Sequence, residues 1–201
     1  MARRSEHSQQ QIKQMVLHAA EEIIQEQGFS ALKVRKIATD IGYTVGSIYM
    51  VFANMNDLNM HIKARTWKKL LLYLEQHSEE PVTQAGIKKM AIAYLNFTVL
   101  NKGLWNMLFE HQPVSKEPVP DWYLQTIEQV SVFVSGLLSQ LDTTYSEAQI
   151  RQAAETLTKS VQGVCMQLII QQPCIENIKL AKSEIELLVD CFMRGWLEEA
   201  R

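Results

Sequence analysis

Apolar residues recur with a helical period along most of this chain. Near the N-terminus they return every three or four positions, at Ile12, Met15, Val16, Ala19 and Ile23. This spacing places them on one face of a helix. Ser8 and Gln11 have the separation of a capping box, and Gly28 has the position of a helix stop. The pattern therefore predicts a first helix that ends near Gly28.

The same period predicts the rest of the chain to be helical. The expected helices cover residues 34–41, 45–52, 57–77, 82–101, a short segment after Gly103, 122–141, 146–172 and 183–199. No segment outside these helical patterns alternates apolar and polar positions over the length of a strand. We therefore expect an all-α protein of about nine helices.

The composition is typical of a globular protein and excludes several other classes. The 201 residues are 47% hydrophobic and 21% charged, which is too apolar for a disordered chain. No apolar run reaches the ~20 residues of a membrane span, and no apolar stretch follows the N-terminal arginines as in a secretory signal. Three cysteines without CxxC spacing favour reduced thiols. We therefore expect a cytoplasmic protein without a membrane partner.

The net charge of −2 conceals an uneven distribution along the chain. Residues 1–69 contain ten Lys and Arg against six Asp and Glu, a net of +4. Residues 70–201 contain ten against sixteen, a net of −6, and the two values sum to −2. A basic segment attached to an acidic remainder is expected where one part of a protein meets a polyanion.

Two short predicted helices separated by Gly42 have the features of a helix-turn-helix. Glycine allows the chain to reverse between them without a Cβ clash. The second helix must bury one side and present the other to the major groove of DNA. Ile48 and Phe52, four positions apart, supply the buried side. The residues expected on the presented side are Thr44, Val45, Gly46, Ser47 and Tyr49.

The segment from residue 19 to residue 58 resembles the DNA-binding domain of TetR-type transcriptional regulators. The matching positions are Gly28, Ile37-Ala38, Ile41-Gly42, Gly46-Ser47-Ile48-Tyr49, Phe52 and Asn54 through Leu58. The resemblance implies a three-helix helix-turn-helix head over residues 1–56. It further implies a helical-bundle domain for ligand binding and dimerisation over residues 57–201.

The resemblance also implies contacts to double-stranded DNA. The residues concerned are Lys33, Arg35, Lys36, Thr44, Val45, Gly46, Ser47 and Tyr49, with Arg3 and Arg4 as a hypothetical minor-groove arm. The chain departs from the family pattern at three positions. Lys33 stands where the family usually has a Thr N-cap, and Val51 and Met55 replace a His and a Lys that contact phosphate. We expect weaker anchoring to the DNA backbone from these changes.

The acidic part of the chain carries candidate dimer and ligand residues. Apolar stripes on the last two helices predict a dimer interface at Leu157, Val161, Leu168, Val189, Phe192 and Trp196, although such stripes also suit the core of one subunit. Aromatic and neighbouring residues predict a pocket formed by Tyr94, Phe97, Trp105, Phe109, Trp122, Tyr123, Phe133, Met166 and Gln167. Each of these aromatic residues also suits a plain core. Charges are scarce near 90–101 and 160–172, which favours a mostly apolar effector.

These features together predict a homodimeric, ligand-responsive regulator of transcription. We expect a repressor that a small effector releases from a palindromic operator, with no cofactor and no metal. A helical enzyme is the first alternative, but the sequence contains no nucleophile, acid/base or metal-ligand constellation. The second alternative is a helical adaptor or ligand-binding protein of the same fold with lost or weakened DNA binding, in line with Val51 and Met55.

Overall fold

A computed structural model describes residues 7–112, 118–141 and 144–198, and its regular structure in these ranges is entirely helical. The α-helices are α1 (Gln9–Gln27), α2 (Val34–Asp40), α3 (Val45–Tyr49), α4 (Met55–Gln76), α5 (Gln84–Leu100), α6 (Lys102–Glu110), α7 (Asp121–Leu141), α8 (Glu147–Ile170) and α9 (Ile175–Glu198). A 3₁₀ turn, Phe29–Ala31, follows α1. The prediction of an all-α fold is confirmed.

Local sequence signals set most helix ends. The Ser8 hydroxyl accepts from the Gln11 backbone N–H at 3.2 Å, and the Gln11 side chain accepts from the Ser8 N–H at 2.7 Å. The predicted start of the last helix at Ser183 is wrong, because α9 begins at Ile175. Ala181 and Ile185 lie on one buried stripe of α9, so the helix continues through the exposed Ser183.

The chain packs into two compact units. The head unit contains the residues up to Thr66 together with Asn101–Tyr123, and the body unit contains Trp67–Leu100 and the residues from Leu124 onward. Two helices, α4 and α7, have residues in both. Residues 57–66 and α6 pack in the head unit, so this grouping by packing differs from the predicted functional division at residue 56. The functional division stays a prediction.

The core of the head unit joins the three N-terminal helices to α6. Val16 and Ile24 of α1, Ile37 of α2 and Ile48 of α3 are fully buried, and Met107 of α6 belongs to the same cluster. The contact between α1 and α6 is close enough to require a glycine. A Cβ placed at Gly103 would lie 2.3 Å from the carbonyl oxygen of Ile24 and 2.8 Å from Cα of Gln25.

The body unit has its core between α5, α8 and α9. Leu95 of α5, Cys165 of α8 and Val189 of α9 are buried there. Helix α5 is buried over most of its circumference, which explains the scarcity of charge over 90–101. In the part of the chain that the structure describes, no helix combines the length and the apolar character needed to cross a membrane.

Candidate functional site

The helix-turn-helix is formed by α2, a tight turn and α3. Gly42 adopts a φ of +71°, in the left-handed region that glycine enters without strain. The backbone N–H of Tyr43 donates to the carbonyl of Ala38 at 2.9 Å and closes the turn. Thr44 then caps α3, since its hydroxyl accepts from the N–H of Ser47 at 3.1 Å. These contacts fix the direction in which α3 leaves the turn.

Helix α3 buries one side and exposes the other, as predicted. Ile48 and Phe52 are buried in the head core. Thr44 and Gly46 are exposed, and Tyr49 retains 43% of its surface, which identifies it as a surface residue rather than a core residue. Val45 and Ser47 are half-buried.

Basic side chains lie at the start of α2. Lys33 and Arg35 are exposed, whereas Lys36 is half-buried and donates to the side-chain oxygen of Gln27. Lys33 occupies the N-cap position of α2 but forms no side-chain cap hydrogen bond there. The capping hydrogen bond expected of a Thr at this position is therefore not replaced. Arg3 and Arg4 lie outside the described residues.

Two of the departures from the family pattern contribute to packing. Val51 and Met55 are half-buried against the head core, where a His and a Lys would reach toward phosphate. The sequence analysis also missed Met50, which follows α3 and exposes 70% of its surface. Its position two residues after Ile48 and two before Phe52 is the signal that could have placed it on the presented side.

The predicted ligand residues are divided between the two units. Tyr94, Phe97, Phe133, Met166 and Gln167 belong to the body unit, and Trp105, Phe109, Trp122 and Tyr123 belong to the head unit. Trp105 is fully buried in the head unit, where its ring packs edge-on against Phe109. Gln167 is exposed, and Phe97 packs on Tyr73. Aromatic side chains on helices fill a core by default, which is why counting them did not locate a pocket.

An apolar cavity of about 20 Å³ lies inside the body unit, and Tyr94 is the predicted ligand residue that lines it. Its lining residues are Leu74, Met90, Ala91, Tyr94, Val130, Val134, Leu157, Thr158 and Val161. This volume accommodates about one water molecule, so a ligand would have to enlarge it. Among the described residues, the Thr158 hydroxyl is buried without a hydrogen-bond partner.

The titratable groups near this cavity stay neutral. Burial raises the pKa of Tyr94 well above its usual value, and the neighbouring Cys165 raises it further. Burial also raises the pKa of the Cys165 thiol to about 12, while a hydrogen bond with Thr98 acts in the opposite direction. The thiolate that reacts or binds metals is therefore not formed at Cys165 near neutral pH.

Four of the six predicted dimer residues pack inside their own subunit. Leu157, Val161, Leu168 and Val189 are buried in the body core of the single chain, which favours the alternative of a subunit core for these four residues, and their place in a dimer interface stays a prediction. An apolar stripe on a helix indicates that this side is buried. It does not indicate whether the same subunit or a partner subunit buries it. Phe192 and Trp196 are half-buried, and their rings stack on each other. Exposed apolar side chains on α8 and α9 are instead Ile170, Ile175, Leu180 and Leu187.

Comparisons with known proteins agree with the geometry of the head. Residues 16–59 match the family model described as bacterial regulatory proteins, tetR family. The chain is 22% identical over 184 residues to the fatty acid metabolism regulator protein of Bacillus subtilis (strain 168), covering 87% of this chain and 92% of that protein.

Solved structures share the fold over nearly the whole chain. A TetR transcriptional regulator from Rhodococcus sp. RHA1 superposes with a TM-score of 0.63 at 15% identity, covering 92% of this chain and 97% of the other. The multidrug binding protein EbrR, complexed with imidazole, superposes with a TM-score of 0.59 at 16% identity, covering 88% and 93%.

The described residues of the head contain a helix-turn-helix whose α3 has an exposed side, and those of the body are helical. Residues 16–59 match the N-terminal domain of bacterial regulatory proteins of the tetR family, and the whole chain is similar in fold to solved TetR-type transcriptional regulators. The matching family model and the named relative are those of regulatory proteins, which agrees with the expectation of a regulator rather than an enzyme.

Proposed function

We propose that this regulator represses transcription as a homodimer on a palindromic operator and is released by a small, mostly apolar effector. The observation that carries the proposal is the presented side of α3. Thr44, Gly46 and Tyr49 are exposed there, while Ile48 on the opposite side holds the helix against the head core. An α-helix held in this way is what the major groove accepts.

Arg35 and Lys33 supply the electrostatic part of the proposed DNA contact. Both are exposed at the start of α2, close in sequence to the turn. Arg35 would contact a guanine or a phosphate, Tyr49 the DNA backbone or a base edge, and Arg3 and Arg4 the minor groove. The half-buried Lys36, Val45 and Ser47 would contribute at the edge of the contact. Phosphate contacts position the protein, whereas contacts to base edges select the sequence.

Binding of the purified protein to its own promoter region, titrated with salt, tests DNA binding. Arg35→Ala should lower the slope of log affinity against log salt by about 1, because one phosphate contact is lost. The matched control is Lys68→Ala, an exposed lysine of α4 in the body unit that should leave the slope unchanged. A wild-type slope near zero would contradict the proposal.

Tyr49→Ala gives a second, local test. Because the Tyr49 ring is exposed, its removal should weaken operator binding and leave the melting temperature nearly unchanged. Tyr49→Phe then separates a contact of the hydroxyl from a contact of the ring. A large loss of stability in Tyr49→Ala would instead assign the ring to the core.

A homodimer is proposed because a palindromic operator requires a two-fold protein. Leu180 and Leu187 lie seven residues apart on α9, so they share one face, and both are exposed in the single chain. Leu187→Glu should yield monomers in sedimentation analysis. Leu72→Glu, at an equally apolar exposed site on α4, is the control that should remain dimeric.

The apolar cavity of the body unit is the proposed effector site. It lies mostly among aliphatic side chains, and Tyr94 and Thr158 are also lining residues. Names of two similar proteins, a fatty acid metabolism regulator and a multidrug binding protein, support a ligand of low polarity. Since the cavity is nearly closed, effector binding would select a body conformation in which it is open. We propose that α4, which has residues in both units, carries this change to the head.

A DNA-independent adaptor is the second candidate, and the packing of Val51 and Met55 on the head core favours it. Met55→Lys should strengthen DNA binding and raise the salt slope by about 1 if the wild type lacks an anchoring contact there. Steep salt dependence of the unmodified protein would contradict the adaptor.

A further inference from the structure

The head unit contains a buried ammonium group. The Lys63 side chain on α4 leaves only 5% of the residue exposed, and within the described residues it forms no ion pair with a carboxylate. Its Nζ donates to the carbonyl oxygen of His111, at the end of α6, at 3.0 Å. It also lies 5.9 Å from the centre of the Tyr123 ring. Within residues 7–112, 118–141 and 144–198, the contacts of this cation are one carbonyl oxygen and one ring face.

These contacts leave the ammonium group incompletely satisfied. A lysine has three N–H donors, and one of them is used by the carbonyl. Burial of a charge without an opposite charge is unfavourable, and here burial lowers the pKa of Lys63. By contrast, the buried Glu21 of the same unit is matched by Arg65, with 2.6 Å between Oε1 and Nε.

Two further buried polar groups near Lys63 lack partners. Asn59 precedes Lys63 by one turn on the same side of α4, and its Oδ1 is buried without a hydrogen bond among the described residues. His111 is buried as well, and its Nδ1 has no partner in the same part of the chain. Buried polar atoms in native proteins are almost always paired with protein, water or ligand.

We propose that Asn59, Lys63 and His111 form a binding site for the carboxylate of a small organic acid. The carboxylate oxygens would accept from the free N–H groups of Lys63 and from the Asn59 amide, whose nitrogen and oxygen can exchange places by rotation. His111 donates to the same anion in the tautomer that carries hydrogen on Nδ1. A carboxylate neutralises the charge of Lys63, which a water molecule cannot do.

Aromatic side chains favour an organic acid over an inorganic anion. The Phe29 ring meets the His111 ring edge-on at 5.9 Å, and the Tyr123 ring lies by the Lys63 ammonium. The site belongs to the unit that contains α3. An acid bound here would therefore act within the DNA-binding unit itself, separately from the apolar cavity of the body unit.

The test compares octanoate with octan-1-ol by thermal unfolding and calorimetry in the absence of DNA. Octanoate should raise the melting temperature of the wild type more than the alcohol does. Lys63→Met should weaken octanoate binding by at least about tenfold, because a hydrogen bond to a charged group is lost. Lys68→Met, an exposed lysine on the same helix, should keep the wild-type affinity.

If octan-1-ol raises the melting temperature equally in the wild type and in Lys63→Met, that increase reports apolar binding only. The quantity that tests the proposal is therefore the difference between the two proteins in their affinity for octanoate. If Lys63→Met fails to fold, Asn59→Leu and His111→Gln provide the same comparison. Equal octanoate affinity in the wild type and these variants would overturn the proposal, as would equal protection by inorganic phosphate.

The alternative that a carboxylate of the chain itself occupies the site is tested by Glu117→Gln, at a position outside the described residues. Tighter octanoate binding by this variant would overturn the proposal, because Glu117 would then be the natural occupant. Unchanged binding supports an external acid. None of these outcomes depends on operator binding, so failure of the proposed repressor function would be recognised separately.

Discussion

The two units differ in what they bury. Among the described residues, the buried side chains that carry charge or titrate near neutral pH are Glu21, Lys63 and His111, all in the head unit. The buried polar side chains of the body unit are Thr98 and Thr126, alongside the neutral Tyr94 and Cys165. The head therefore buries charged groups, whereas the buried polar groups of the body named here are uncharged.

This difference suits two different tasks. Ion pairs and hydrogen bonds are satisfied in one arrangement only, so a polar interior favours a single shape for the head and for the exposed side of α3. Apolar contacts have no preferred direction, and an aliphatic interior can rearrange around a ligand at lower energetic cost. The closed cavity of the body is consistent with such an interior.

The largest expected effect on stability is that of Arg65→Met in the head. Glu21 would keep a buried carboxylate without its cation, so the free energy of unfolding should fall by about 3 kcal/mol. Glu21→Gln should cost less, about 1 kcal/mol, because the partly exposed Arg65 can turn to water. Urea unfolding at fixed protein concentration measures both values.

The matched ion pair in the body is Lys88 and Asp190, with 2.5 Å between Nζ and Oδ1. The carboxylate of Asp190 is more exposed than that of Glu21. Lys88→Met should change the stability by less than about 1 kcal/mol. Equal losses for Arg65→Met and Lys88→Met would remove the distinction between the units.

Gly103→Ala should follow in size. The added Cβ meets the backbone of α1 rather than a flexible side chain, so α6 must shift, at a cost of about 2 kcal/mol. Gly136→Ala on α7 is the control, since a Cβ there meets nothing within 4 Å. That substitution should stabilise the body by up to about 1 kcal/mol through helix propensity. A Gly103→Ala protein of wild-type stability would mean that α6 is not tightly held.

Thr158→Val sharpens the description of the body. Thr158 lines the cavity, and its hydroxyl is buried without a hydrogen-bond partner among the described residues, so its replacement by a methyl group should raise the unfolding free energy by about 1 kcal/mol. Thermal unfolding without and with octan-1-ol checks this value and its dependence on ligand. Destabilisation would show that the hydroxyl is bonded in solution.

The smallest expected effect is a pH dependence that belongs to the head. Burial lowers the pKa of His111 from 6.5, and the Lys63 ammonium lowers it further. Between the lowered pKa and 6.5 the unfolded chain binds more protons than the folded one, so stability decreases as the pH falls through this window. His111→Gln should flatten this slope, and His77→Gln, at an exposed site in the body, should not. Identical slopes in all three proteins would contradict the assignment.

The sequence predicted what depends on local chemistry. The period of apolar residues, the Ser8 capping box and the turn at Gly42 rest on contacts within a few residues, and each is found in the structure. The orientation of α3 followed in the same way, since Ile48 and Phe52 are one turn apart.

What depends on distant partners was not predictable. Lys63 lies in a run of basic residues typical of a solvated helix face, and its burial depends on His111, 48 positions away. The stripe through Leu157 and Val189 is equally apolar whether it meets its own subunit or another one. Aromatic residues were assigned to a pocket by type, although Trp105 and Tyr94 lie in different units.

The close contact of Gly103 with α1 has a consequence for how the protein forms. A chain that leaves the ribosome N-terminus first presents α1, α2 and α3 before α6, yet Leu104 and Met107 of α6 are part of the core that holds them. The core of the head unit is therefore complete only after residues 67–100 have also been synthesised. A fragment ending at Thr66 would lack the contacts of Leu104 and Met107, so we expect it to be less stable than the head within the full chain.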